Sequence, residues 1–466
     1  MTTEPAPPPL AESVDYIRSL GKESAADVLR RAAATGRVAV QPRCGVGGHD
    51  AMRALLGTLA DQARPDLLTI TIDSHTRLGH FAQARRLAHL SPRELNGYPL
   101  VAHGWRRGRE LNELVGVPVQ IRHGSPDARL MFEVAVASGI TSFEGGGISY
   151  NLPYSKDVPL ADSLAAWAEV DRRCGELAAL GVTVDRELFG TLTAVLVPPS
   201  VSLAVSVLEG VLAARAGVRC LSVAYPQGGH LAQDVAALRA VPVLARRYLP
   251  AGVEVHPVLH EFMGVFPRER GNAEDLILYG ALVARLGGAS KLLTKTYQEA
   301  FGIPDAAANA EGLRLAQRAN SPLLGFLAVD EGAAAEELAW VLAEVAELVE
   351  PVLAERDTAG AVVRAFAAGR LDIPFSASRH ARSEVIPRRD PTGAIRILAP
   401  GRLPLSPETV RRHRAQLRLG DGPPDLTALH LELTADINYF PLLFGEHRPA
   451  PAPRAAAPEA GVRASA

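Results

Sequence analysis

Cysteine is nearly missing from this sequence, with three in 466 residues (Cys44, Cys174 and Cys220). They are too few and too widely spaced for a disulfide framework or a C-x-x-C pair, so the expected setting is reducing and cytoplasmic. An excess of charge of either sign is missing too. Lys+Arg number 49 against Asp+Glu 51, for a formal net charge of −2, and no strong field exists to gather nucleic acid or an anionic membrane. No apolar run approaches the roughly 20 residues that span a bilayer, and Met1 to Glu12 is proline-rich and acidic where a secretion signal is basic and then apolar. Neither nucleic acid nor membrane is an expected partner. A G-x-G-x-x-G fingerprint after the first strand is lacking, because Gly45, Gly47 and Gly48 have the wrong spacing, and no repeat of fixed period is visible.

What the sequence does contain is an alternation of short β-branched runs with longer segments of helical period, the pattern of a parallel sheet joined by crossover helices. Strands are expected at 38–42, 67–73, 117–121, 139–144, 182–189, 219–225, 253–259 and 290–295. Helices are expected between them, among others at 48–62, 126–137, 160–180, 200–216, 230–247 and 272–287. Eight such units in about 260 residues match an α/β fold of the (β/α)8 TIM-barrel type. Beyond it, long Ala/Glu/Leu helices (335–368), a loop-rich stretch with a turn at Asp390-Pro391-Thr392-Gly393 and a helix near 406–418 form an appended, mainly helical C-terminal region. The expected division is a disordered tail at 1–12, the barrel at 13–330, the helical and loop region at 331–445 and a second disordered tail at 446–466.

In such a barrel the chemistry sits at the C-terminal ends of the strands, and here those ends are polar. Arg43, Arg77 and Arg122 come from three different strands; guanidinium forks at one rim suit a small substrate with two carboxylates, or a phosphate. Strand 4 runs into Glu144-Gly-Gly-Gly-Ile-Ser-Tyr-Asn-Leu-Pro-Tyr154, where three glycines permit a backbone that hugs a ligand and Tyr150 and Tyr154 edge the pocket. Lys295, with Glu299 four residues on, reads equally as a Schiff-base lysine, an ion pair across a helical turn or a hydrogen-bonding pair for a ribose. His230, His256 and His260 show no metal-ligand spacing, so no metal is assigned, and Cys44 reads as a packed thiol. Asp73-Ser-His75-Thr-Arg-Leu-Gly79 comes close to the D-x-H-x-x-G signature for cobalt ligation, but its glycine falls one residue late.

These residues sit in blocks that resemble one family, the large catalytic subunit of glutamate mutase (methylaspartate mutase), an adenosylcobalamin-dependent isomerase. The blocks are Gln41-Pro-Arg43, Thr71-Ile-Asp-Ser-His-Thr-Arg77, Leu95-Asn-Gly-Tyr-Pro99, Arg122-His-Gly-Ser-Pro-Asp-Ala-Arg129, the glycine block Glu144 to Tyr154, Arg186-Glu-Leu-Phe-Gly-Thr-Leu-Thr193, Met263-Gly-Val-Phe-Pro267 and Gly302-Ile-Pro304. The resemblance runs from about residue 35 to 420. It implies a barrel whose mouth is capped by adenosylcobalamin carried on a separate small flavodoxin-like subunit, with cobalt ligated by that partner, in a heterotetramer built on a homodimer of this chain.

Carried over residue by residue, the resemblance implies that Arg43, Arg77 and Arg122 hold the carboxylates of L-glutamate. Glu144 is the catalytic carboxylate facing the amino group, and Gln120, His123, Tyr150 and Tyr154 complete the substrate pocket. Gly45, Asn96, Pro153, Phe266, Lys295, Glu299 and Ile303 fall on cofactor-contacting positions, with Lys295 and Glu299 on the adenosyl ribose. The implied reaction interconverts L-glutamate and 3-methylaspartate through radicals: hydrogen leaves C4, the substrate radical splits into a glycyl radical and acrylate, and the pieces recombine at the other acrylate carbon. The alternative from the residues alone is a cofactor-free barrel lyase or aldolase that acts on a dicarboxylate through Lys295. His75 stands where the family pattern leads us to expect tyrosine, and Asp436 to Gly445 lacks the family's basic, glycine-containing finish.

Overall fold

In the computed structural model, which describes residues 6–191, 195–419 and 427–446, eight short strands surround one axis. They are β1 (Ala39–Pro42), β2 (Leu68–Thr71), β3 (Val119–Arg122), β4 (Ser142–Glu144), β5 (Asp185–Leu188), β6 (Cys220–Pro226), β7 (Glu254–His260) and β8 (Lys291–Thr294). Each overlaps one of the eight strands read from the sequence. Neighbours pair in parallel in the order β1-β8-β7-β6-β5-β4-β3-β2. The remaining seam, β1 against β2, is pinned by Asp66 N to Val40 O at 3.0 Å and Thr71 N to Cys44 O at 2.9 Å. Ala39 N points the other way, to Ser290 O at 2.9 Å. Amide direction alternates along a strand, so Pro42 falls on the β2 side, where it has no N–H to give. The result is a nearly closed barrel.

Helices cover the outside, among them His49–Gln62, Arg129–Ala137, Leu160–Ala179, Pro199–Arg215, Leu231–Tyr248 and Arg270–Gly287, matching the expected segments to within three residues. Pro199–Arg215 begins with proline at a first-turn position and is buried along nearly all its length. It shows no polar stripe because it lies between the barrel and the helix Glu331–Leu353, so both of its faces are covered. The apolar core is therefore the layer between strands and helices, where Leu188, Leu221 and Val223 meet Leu203, Val241 and Leu244.

The barrel axis is filled differently. Gln41 Nε2 donates to Thr69 Oγ1 (2.7 Å) and Gln120 Oε1 (2.8 Å), Gln120 Nε2 to Ser142 Oγ (2.9 Å), and the hydroxyls of Ser142 and Ser222 to Asp185 (2.8 and 2.7 Å). Barrels of this kind are ordinarily filled by Val, Ile and Leu; here the interior is a hydrogen-bonded polar stack.

The C-terminal region departs from expectation in detail. The helical stretch 335–368 is two helices, Glu331–Leu353 and Thr358–Ala368, because Asp357 caps the second by accepting from Gly360 N (3.0 Å). The loop-rich stretch contains an antiparallel hairpin, β9 (Ile386–Arg389) and β10 (Ile395–Ala399). Its turn is the expected Asp390 to Gly393 segment, closed by Asp390 N to Ala394 O at 2.8 Å, with Gly393 at φ 92°. The short helix Tyr439–Leu443 sets Phe440 against Phe262 (4.7 Å between rings), and Glu446 accepts from Arg268 N at 2.7 Å. At the other end the chain is helical from Leu10. Residues 1–5 and 447–466 of the two expected tails, and Leu192 and Thr193, lie outside the described residues. Among those described, no helix is long and apolar enough to cross a membrane.

Candidate active site

At the C-terminal ends of the strands the axial polar stack becomes charged. Glu187 accepts from Lys291 Nζ (2.6 Å), Arg122 Nη1 (2.8 Å) and Gln120 Nε2 (3.0 Å), all of them buried. Burial alone would raise the Glu187 pKa, but Lys291 and Arg122 outweigh it and hold the group well below the usual carboxylate range. The other edge of the Arg122 guanidinium lies against Glu144. Glu144 fares differently: burial pushes it up to about 7, against the pull of Arg122 and of the Tyr150 hydroxyl that donates to it. One arginine thus serves a fixed anion below and a carboxylate above that titrates near neutrality.

Around Glu144 stands an aromatic wall. His123 stacks on Trp167 (5.7 Å, 5° between planes) and meets Tyr150 edge-on at 4.8 Å, and Tyr150 meets Tyr154 at 5.6 Å. His123 Nδ1 accepts from Ser125 N at 3.0 Å, which leaves the ring proton on Nε2. That buried Nε2 has no hydrogen-bond partner among the described residues. Burial, with Arg186, Arg77 and Arg122 nearby, keeps the imidazole neutral by lowering its pKa.

Arg77 ends the short helix Ser74–Arg77, which Asp73 caps by accepting from His75 N (2.9 Å) and Thr76 N (3.0 Å). Asp73 is thus a cap within its near-miss motif. Arg77 lies 5.6 Å from the Tyr154 ring and lines, with Tyr154, Ser125 and Arg129, a cleft of about 690 Å³. The Tyr154 phenol is raised by burial and by Glu144, and is acted on in the opposite sense by Arg43, Arg77 and Arg122 together. All three arginines therefore lie within electrostatic reach of one hydroxyl.

The glycine block is not a loop left open for a ligand. Gly145 has φ 122°, and a Cβ there would meet the Trp167 ring at 2.6 Å; at Gly147 it would meet Leu164 Cα at 2.9 Å. At Gly146 the obstacle is the Glu209 carboxylate, which accepts from Ile148 N (2.7 Å) and Ser149 N (2.8 Å). From below, Arg186 donates to Phe143 O (2.9 Å) and Gly145 O (3.0 Å). The glycines let the chain pack tightly against its own protein, which fixes Tyr150 and Tyr154.

On the opposite side of the mouth Lys295 is buried and its ammonium is engaged by Glu299. Arg43, its side chain 44% exposed, lies 3.7 Å from the same carboxylate. The other cofactor positions carried over from the resemblance are scattered around this rim. Gly45 and Ile303 share a second cleft of about 640 Å³. Asn96 Oδ1 accepts from Ser74 N at 2.9 Å, Pro153 is partly buried beside Tyr154, and Phe266 belongs to an apolar cluster with Phe262 and Phe440. Lys291 escaped sequence reading and Glu187 received no role in it. The usable signal was parity: Lys291 and Lys295 lie on one face of a strand, as do Asp185 and Glu187, so both pairs point at the axis. Away from the mouth, among the described residues, Cys220, Glu254 and His256 bring three ligand atoms within 4.8 Å of one another.

Comparison with known proteins bears on the whole of this architecture. The chain is 41% identical over 424 residues to the "Glutamate mutase epsilon subunit" of Desulfitobacterium hafniense (strain Y51), a match covering 87% of this chain and 86% of that protein. It is 43% identical over 386 residues to the protein of the same name from Halobacterium salinarum (strain ATCC 700922 / JCM 11081 / NRC-1), covering 82% and 81%. The model of the family described as "Methylaspartate mutase E chain" matches residues 21–420, a span that holds every barrel strand and the charged residues of the mouth. On this match, this chain belongs to the methylaspartate mutase E chain family.

Proposed function

We propose that this chain is the catalytic subunit of an adenosylcobalamin-dependent isomerase that interconverts L-glutamate and 3-methylaspartate. The observation that carries the reading is the set of arginines at the mouth, in a chain of this family: Arg122 against Glu144, Arg77 over the Tyr154 ring and Arg43 beside Glu299. The substrate bears two carboxylates and one ammonium, and the mouth offers cations for the first and a buried carboxylate for the second. Arg77 and Arg43 have guanidinium surface left to give; Arg122 is held from below by Glu187 and turned toward Glu144. Glu144, poised near pH 7, ionises fully once the substrate ammonium sits beside it. Tyr150 fixes the orientation of that carboxylate, and the His123, Trp167 and Phe143 wall keeps water out.

The rim fits a large cofactor held from outside. Arg43 and Glu299 are left partly open at the mouth, and Ile303, 59% exposed, lines the cleft that holds Gly45. Lys295 and Glu299 offer a donor and an acceptor to ribose hydroxyls, while Gly45, Asn96, Pro153, Phe266 and Ile303 would lie along the rest of the group. When bound, adenosylcobalamin supplies the radical that takes hydrogen from the substrate and returns it. The protein's tasks are to clamp both carboxylates, so that neither fragment drifts during the rearrangement, and to exclude water. In this reading Lys295 acts through its ion pair with Glu299 and not as an imine-forming amine. The reading includes a small flavodoxin-like partner that ligates cobalt, a heterotetramer built on a homodimer, and a cytoplasmic setting that keeps the buried thiols reduced.

The test is turnover. The chain, mixed with a small cobalamin-binding subunit, adenosylcobalamin and L-glutamate, should give 3-methylaspartate by mass spectrometry, and none when the small subunit is omitted. Lack of product with a subunit that activates another member of the family would overturn the reading.

A further inference from the structure

The N-terminal end of the barrel, remote from the mouth, holds a second group of chemically capable side chains. Cys220 opens β6 and Glu254 opens β7, and the two are direct register partners; His256, two residues on, pairs with Ser222. Two-residue spacing puts Glu254 and His256 on one face, with Cys220 beside them. Cys220 and His256 are buried, while the Glu254 side chain is 42% exposed at the open bottom of the barrel.

Three features of the trio point to a shared ligand. His256 Nε2 is buried, more than nine-tenths of the residue is covered, and the atom has no hydrogen-bond partner among the described residues, although buried polar atoms are nearly always satisfied. It lies 3.7 Å from Glu254 Oε2, too far for a hydrogen bond and well suited to two ligands of one ion. The third donor, Cys220 Sγ, completes a set whose atoms all lie within 4.8 Å; tetrahedral zinc, with bonds of about 2.0–2.3 Å, needs separations of roughly 3.3–3.6 Å for this donor set, a contraction of about 1.5 Å at most.

The geometry points to a structural divalent-metal site formed by Cys220, Glu254 and His256, with zinc as the ion that fits. Thiolate, imidazole and carboxylate together select a borderline-soft ion over magnesium or calcium, and three protein ligands leave a fourth position for water. Thiolate and carboxylate neutralise a 2+ ion. The binding step is an exchange without redox change: the Cys220 S–H proton leaves to solvent, a sulfur–metal bond forms, and neutral His256 gives its Nε2 lone pair. Arg30, which reaches Glu254 through two bonds of 3.2 Å, keeps Asp27 at 2.7 Å as a partner when the metal takes Glu254. Lys291, the cation on the axial side, is already held by Glu187. The ion would tie β6 to β7 at the floor of the barrel and would take no part in the reaction at the mouth.

The test uses the purified full-length chain stripped of metal, with Co2+ as a spectroscopic probe and Zn2+ as competitor. One equivalent of Co2+ should give tetrahedral visible bands with a thiolate-to-cobalt absorption in the near ultraviolet, release a proton and yield to Zn2+. Cys220→Ser should abolish the thiolate absorption. Glu254→Gln, at a partly exposed position where folding is not at stake, should weaken Co2+ binding by about tenfold or more while turnover with the small subunit is unchanged. A missing thiolate absorption in the folded wild type, the same absorption in Cys220→Ser, or wild-type affinity in Glu254→Gln would each overturn the site.

Discussion

A barrel strand presents two faces within three to seven residues, and on most of them the two follow opposite chemistry. On β3 the axial side chains are Gln120 and Arg122 while Ile121 points to the helices; on β6 Ser222 faces the axis and Leu221 and Val223 face outward; on β8 Lys291 faces in and Leu292 out. The outer face is stabilised by area removed from water. The inner face gains little net stability, because buried ions lose hydration and recover it only through pairing. That an interior this polar persists, although aliphatic residues of similar size would fill it more cheaply, is the physical mark of a site. Charge at the mouth is held in place by charge below it: Lys291 holds Glu187, Glu187 holds Arg122, and Arg122 meets Glu144.

The comparison breaks most visibly at its centre. Glu187→Gln leaves Lys291 and Arg122 undercompensated in the interior and should cost about 3–5 kcal/mol in denaturant unfolding, together with most of the turnover. Leu203→Ala, in the helix that covers the outer face, should cost about 2–5 kcal/mol by opening a cavity while leaving kcat/KM of the folded protein unchanged. A loss of specific activity there would erase the distinction between the faces. Arg77→Lys removes a bidentate fork at the rim and should raise KM by roughly 10- to 100-fold, from about 1.5–3 kcal/mol per charged hydrogen bond lost, with the unfolding midpoint unmoved.

The smallest effect is on pH. Glu144 must be ionised to take the ammonium, so kcat/KM should fall as pH drops through about 7. Tyr150→Phe removes the hydrogen bond that favours the ionised form and should move this acid limb upward by roughly half to one pH unit. A downward shift would mean that the hydroxyl does not donate to Glu144.

The outer face and the ends of the strands were the legible parts of the sequence. Runs such as 67–73 declare strands by their apolar and β-branched residues, and Arg43, Arg122 and Glu144 stand out because they end such runs. The axial residues were harder. Lys291 and Asp185 sit at the starts of strands, where a charge ordinarily reads as the solvated edge of a loop, and only closure of the barrel turns them inward. In the sequence the glycines at 145–147 suggest a backbone that hugs a ligand; their neighbours Glu209, Leu164 and Trp167 come from two later helices, so the packing that requires glycine is not visible locally. The hairpin at 386–399 was hidden for a similar reason, since its turn was recognised but its arms hold arginines that pair with Glu337 and Asp436 of other elements.

The most direct test of the account is electron paramagnetic resonance on the complex reconstituted with the small subunit and adenosylcobalamin, frozen during turnover of L-glutamate. Wild type and Leu203→Ala should give a glutamate-dependent paramagnetic signal of equal strength per folded chain, and Arg77→Lys, at the same subsaturating glutamate, a much weaker one. Equal signals from all three, or none from the wild type with a competent partner, would contradict the claim that the polar mouth of the barrel, and not its apolar shell, carries the reaction.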